Sequence, residues 1–149
     1  MSIGKKSKAQ VNKVREIVFE RDNNRCIVTG SRWAWIIPCG GELTIQHAVG
    51  RGMGSSAKYD EPKHLRAMCA IHNQVETANA DFAEACERMG WSIRRWVADQ
   101  AKIEVAPVWY VDGWHLLKEN DRVLISPEQA QALSDELYGR ETNHDMGQS

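Results

Sequence analysis

Residues 43 to 73 read Leu43-Thr44-Ile45-Gln46-His47-Ala48-Val49-Gly50-Arg51-Gly52-Met53-Gly54, then, after a polar stretch, His64-Leu65-Arg66-Ala67-Met68-Cys69-Ala70-Ile71-His72-Asn73. Three of the five histidines and one of the four cysteines fall here, among turn residues and just before a helical pattern. Imidazole and thiolate are the side chains that hold transition metals and move protons near neutral pH. Such side chains at the joints between short strands and a helix point to a small metal site.

Working outward, Val11, Val14 and Val18, with Ile17 and Phe19, repeat at helical spacing through Glu20, and Asp22-Asn23-Asn24 ends that helix in a turn. Cys26 to Gly30 reads as a short strand. Residues 31–41 form a loop carrying Trp33 and Trp35 and closed by Pro38 and Gly40-Gly41. Leu43-Thr44-Ile45 is the next strand and delivers Gln46-His47. Residues 48–61 read as loop, 62–68 as a turn or short helix. One helix is expected from Asn73 to Met89, stopped by Gly90, and a shorter one capped by Ser92. Val108 to Val111 and Trp114 to Leu117 flank Asp112-Gly113, a hairpin signal. Ser126-Pro127-Glu128-Gln129 opens a last helix with a capping sequence.

The chain has 149 residues, enough for one cored domain. It carries a formal net charge of -1, which by itself does not mark a nucleic-acid binder. The distribution is uneven. Lys5, Lys6, Lys8, Lys13 and Arg15 crowd the first fifteen residues without an acid, while the last third is acidic, a pattern compatible with a basic face that meets phosphates. With no apolar run of about 18 residues and no secretory leader, a cytoplasmic location and no membrane partner are expected. In a reducing compartment the four cysteines are free or metal-bound rather than paired.

The ordered motifs resemble the HNH endonucleases, most of all the small HNH proteins of actinobacterial phages. Arg21 to Cys26 is similar to the start of the family's first zinc knuckle. Gln46 to Gly54 resembles its His-His-x-x-x-Arg-Gly-Met-Gly segment, His64 to Cys69 its Asn-Leu-x-x-Leu-Cys, and His72 to Glu76 the opening of its metal-site helix. The resemblance covers roughly residues 10–118. It implies an α+β fold with a ββα-metal core, an N-terminal helix and a C-terminal β-hairpin plus helix. The expected organisation is a disordered basic tail over 1–8, an HNH-like domain over 9–98, the hairpin and helix packed on it over 99–139, and a flexible tail over 140–149.

What the resemblance implies for function is metal-dependent hydrolysis of DNA phosphodiester bonds, with nicking of one strand as one form. His47 would be the general base and His64 would stand where the family has asparagine. Gln46, His72 and Asn73 would hold one divalent cation, Mg²⁺ or Mn²⁺ first, Zn²⁺ or Ni²⁺ as alternatives. Arg51, Lys5, Lys6 and Lys8 would meet phosphates. Two registers stay open for the last site. Counting from Cys69 puts His72 on the fourth zinc-ligand position and Asn73 on the catalytic cation. Anchoring on His-x-x-x-Glu puts His72 on the catalytic cation, and this second register is the favoured one.

Both Cys-x-x-Cys pairs of the family are broken here, to Cys26-x-x-Thr29 and Cys69-x-x-His72. A tetrahedral site needs four good ligands. At most three ligands remain unless Cys39, just before Gly40-Gly41, joins them, so packing in place of a structural zinc is expected, with Cys26, Cys69 and Cys39 the candidate cysteine ligands of a zinc. The alternative function is a scaffold that has lost turnover and binds nucleic acid or a host or phage protein, the latter through the C-terminal hairpin and helix. Gln46, His64 and the broken knuckle motivate it.

Overall fold

A computed structural model describes residues 7–49, 59–118 and 120–139. Its helices are α1 (Lys8–Arg21), α2 (Arg32–Ile36), α3 (Ala70–Ala78), α4 (Ala80–Arg88), α5 (Arg95–Asp99) and α6 (Pro127–Tyr138). Its strands are β1 (Leu43–His47), β2 (Leu65–Cys69), β3 (Val108–Tyr110), β4 (Gly113–Lys118) and β5 (Asp121–Leu124). The fold is α+β with two small antiparallel sheets, β1-β2 and β3-β4-β5. No helix among the described residues is long and apolar enough to cross a membrane.

The first sheet pairs Leu43 with Cys69 and His47 with Leu65. On it Val18 of α1 packs with Leu65 and Ala67, and α3 follows β2 without a connecting loop. The main core runs from Cys26, Ile27 and Val28 through Met68, Phe82 and Trp91 to Trp109, Trp114, Leu117 and Ala130. The C-terminal sheet and α6 thus share the core of the N-terminal part.

Several expectations change. Cys26 to Gly30 is a turn, not a strand: Thr29 N–H closes onto Cys26 carbonyl at 3.0 Å, and only Ile27 reaches β2, donating to Ala67 carbonyl at 2.8 Å. The second strand of the pair is instead β2, which lies where a turn or helix was expected. Its five residues are all buried, so burial on both faces removes the alternation that marks a half-exposed strand. The single helix expected over 73–89 is two. Asn79 sits at φ -128°, ψ 110°, ends α3 and caps α4 by accepting from Phe82 N–H, as asparagine does at helix starts. Ser92 does not cap α5, whose N-cap is Arg94. The helix expected at the C-terminus forms as read, with its capping box at Ser126 and Gln129 and left-handed Gly139.

Two buried charges hold these pieces in register. Asp22, just past α1, accepts from Arg21 at 2.8 and 3.0 Å, from Ala67 N–H at 2.9 Å and from Tyr110 hydroxyl at 2.6 Å. One carboxylate therefore joins α1, β2 and β3. Arg66 of β2 is fully buried and donates to the carbonyls of Gly90, Lys63 and Leu65. Burial pulls its pKa down to about 10, so it stays charged at neutral pH.

Removing one partner of a buried ion pair leaves the other uncompensated, at a cost of about 3–5 kcal/mol. Asp22→Ala should destabilise the fold by that order in denaturant unfolding, while Asp121→Ala on the exposed start of β5 should change it by less than about 0.5 kcal/mol.

Candidate metal centre and the groove beside His47

Cys26, Cys39, Cys69 and His72 each offer one donor atom, and these four atoms lie within 4.8 Å of one another. Local structure explains how each arrives. Cys69 is the N-cap of α3, and its sulfur accepts from His72 N–H at 3.4 Å. A Cys-x-x-His step across a helix start therefore puts both side chains on one spot. Cys26 opens the turn after α1, pinned by Ile27 to β2. Cys39 lies in the loop before β1, which presses close onto α3. Gly41 is left-handed (φ +77°), and a Cβ there would stand 2.8 Å from Ala70 Cβ. Gly41 is therefore required for both its conformation and its space.

The distances fit a tetrahedral ion. His72 Nδ1 is 3.5 Å from Cys26 Sγ, 3.7 Å from Cys39 Sγ and 3.2 Å from Cys69 Sγ. Bond lengths of about 2.3 Å to sulfur and 2.0 Å to nitrogen at tetrahedral angles require a sulfur–nitrogen separation of about 3.5 Å. The other ring nitrogen, Nε2, is 2.6 Å from Ile37 carbonyl. A carbonyl only accepts, so Nε2 carries the proton and Nδ1 turns its lone pair toward the three sulfurs. This is the arrangement expected of a metal-binding histidine. The Cys3His group could hold a metal ion.

Burial, and then the neighbouring thiols, push the Cys26 and Cys39 thiols up from their ordinary range, so without an ion both stay protonated; a bound cation would displace those protons.

Two of the expectations are corrected here. The knuckle keeps four donors rather than three, because Cys39 joins from the loop. His72 belongs to this group and not to a cation shared with His47, since both its ring nitrogens are taken up by the cysteines and Ile37.

The remaining residues lie around β1. Gln46 is buried and donates to Glu76 Oε1 on α3 at 2.5 Å, while Glu76 Oε2 is buried without a hydrogen-bond partner. Asn73 reaches β1 as well, donating to Thr44 Oγ1 at 2.9 Å and Ile45 carbonyl at 3.3 Å. His47 is 30% exposed, with Nε2 3.4 Å from Asp60 Oδ1. It lines an open groove of about 260 Å³ with Asp60 and with Val11, Val14 and Arg15 of α1. Asp60 and Arg15 were not singled out as site residues. Arg15 reaches the groove because α1 forms its far wall.

His64 does not line that groove. It is buried, its ring edge meets Tyr59, and Nδ1 has no hydrogen-bond partner. Burial, aided by Arg66 and Lys63, lowers its pKa to about 4. Its carbonyl accepts from Ala48 N–H at 2.9 Å, which fixes the chain just after His47. Lys8 begins α1 on an exposed face. Arg51, Lys5 and Lys6 fall outside the described residues. Trp33 packs on Phe82, whereas Trp35 is 88% exposed.

No protein-family model, curated protein or solved structure matches the chain.

If the Cys3His group holds an ion, a chelator, or Cys69→Ser, should lower the melting temperature by at least about 10 °C, as loss of a tightly bound ligand costs several kcal/mol. An unchanged melting temperature would contradict a bound ion. His64 supplies a pH test. Its folded-state pKa lies below the unfolded value, so the unfolded chain takes up the proton first. Stability should therefore fall as pH drops from about 6.5 to about 4, by on the order of 2 kcal/mol. His64→Asn should flatten that fall in calorimetry across the same window.

Proposed function

We propose that this chain is an HNH-type endonuclease in which one zinc ion on Cys26, Cys39, Cys69 and His72 is structural and His47 is the general base for hydrolysis of DNA phosphodiester bonds. The supporting observation is the sequence of parts at one place. An antiparallel pair runs directly into a helix, four soft donors meet at the joint, and the first strand delivers a half-exposed imidazole to an open groove. Three thiols and an imidazole suit zinc, and they suit magnesium or calcium poorly. With no vacant ligand position, such a centre holds structure and does no chemistry.

In the groove, His47 Nε2 faces the Asp60 carboxylate. Asp60 would hold the ring tautomer and stabilise the imidazolium once His47 has taken a proton from water through its other nitrogen. Arg15, from α1, lines the same groove and would meet a backbone phosphate together with Arg51, Lys5, Lys6 and Lys8. His64, neutral and buried, acts through its carbonyl on Ala48 and so sets where His47 lies.

A divalent cation such as Mg²⁺ or Mn²⁺, when bound, neutralises charge on the scissile phosphate and the leaving oxygen. The residues that would hold it are Gln46 and Asn73, through their side-chain oxygens, with Glu76 bonded to Gln46; the residues lining the groove with His47 do not include these three. Side-chain oxygens are hard donors of the kind such ions take.

One observation favours a second reading, a scaffold that binds nucleic acid without cutting it. Among the described residues no group of three His, Asp or Glu side chains gathers at His47.

Supercoiled plasmid with Mg²⁺ or Mn²⁺ decides between them. The nuclease reading expects nicks or breaks with 5′-phosphate ends, lost by at least about 100-fold in His47→Ala while DNA binding is retained. Absence of cleavage with every divalent ion, with binding intact, would leave the scaffold reading.

A further inference from the structure

We propose, building on the zinc reading but not on nuclease activity, that Cys39 is an oxidation site through which hydrogen peroxide opens the Cys3His centre. The four ligands are unequal. Cys26 is 6% exposed, Cys69 5% and His72 0%, whereas Cys39 is exposed. Cys39 is also the ligand held least by regular structure. Cys69 caps α3 and His72 lies within it, and Cys26 adjoins a backbone bond to β2. Cys39 sits in a loop between Pro38 and Gly40-Gly41. A dissolved oxidant therefore meets one sulfur of the three, and two other thiolates stand within 4.8 Å of it.

The chemistry balances with peroxide as the only co-reactant. The Cys39 thiolate attacks one peroxide oxygen, the O–O bond breaks, and hydroxide leaves, giving Cys39 sulfenic acid. The thiolate of Cys69 or Cys26 then attacks the Cys39 sulfur, an S–O bond breaks, and a second hydroxide leaves. Two thiolates lose two electrons to form one disulfide, and peroxide gains them. Two of four ligands are gone from the centre, and a tetrahedral site with one thiolate and one imidazole does not retain zinc. A dithiol reductant with added zinc reverses the change. The centre joins the turn after α1 to the start of α3, so its opening removes that tie.

The test uses the full zinc-loaded protein, hydrogen peroxide and a chromophoric zinc chelator, with peptide mapping of the disulfides. Expected are release of one zinc per chain, a first disulfide that contains Cys39, and Cys86, which is buried outside the centre, still reduced. Cys39→His keeps four ligands and removes the oxidisable exposed one, so its release should be at least tenfold slower. Equal release rates in the two proteins, or a first disulfide between Cys26 and Cys69, would overturn the proposal. Where the histidine variant does not take up zinc, the wild-type disulfide map decides alone. Protein purified without zinc would remove the premise, a result distinct from zinc that stays bound under peroxide.

Discussion

Four donor atoms from three separate stretches of chain meet at one point, and the first half of the molecule is arranged around that meeting. Cys26 belongs to the turn after α1, Cys39 to the loop before β1, and Cys69 with His72 to the step from β2 into α3. Each stretch is short and irregular. Turns of this kind lose more conformational entropy than their own contacts repay, so a ligand-bound centre is the natural device for ordering them. The glycines at 40 and 41 serve the same end, because they let the Cys39 loop approach α3 at a distance that a side chain would prevent.

The groove beside His47 depends on this arrangement at one remove. β1 is held between β2 on one edge and the α3 side chains Asn73 and Glu76, which reach Thr44, Ile45 and Gln46. α1 supplies the opposite wall, and its end is tied to β2 and β3 by the Asp22 carboxylate. A half-exposed histidine on a strand end is a poor site by itself. Here both walls are fixed, one through α3 and one by a buried ion pair. The general-base role proposed for His47 would require such preorganisation.

Much of this was legible in the chain. Helical spacing gave α1, the Asp112-Gly113 signal gave the β3-β4 hairpin, and the capping box at Ser126 gave α6, since each is a local pattern. β2 was hidden because its residues are buried on both faces. The break at Asn79 was hidden because asparagine inside an apolar-periodic stretch does not announce that it will serve as two caps. The metal group was half visible. Cys69-x-x-His72 stands in the sequence, but Cys39 joins it through a loop closure between residues 30 apart, and spacing alone cannot report such a contact. For the same reason Asp60 and Arg15 were silent, being sited by the packing of α1 and by nothing in their neighbours along the chain.

X-ray absorption at the metal edge of the purified protein tests the central claim most directly, since it counts and identifies the ligand atoms. Three sulfurs at about 2.3 Å and one nitrogen at about 2.0 Å around a single zinc are predicted. A shell of oxygen and nitrogen alone, or protein that holds no metal after purification without chelators, would contradict it.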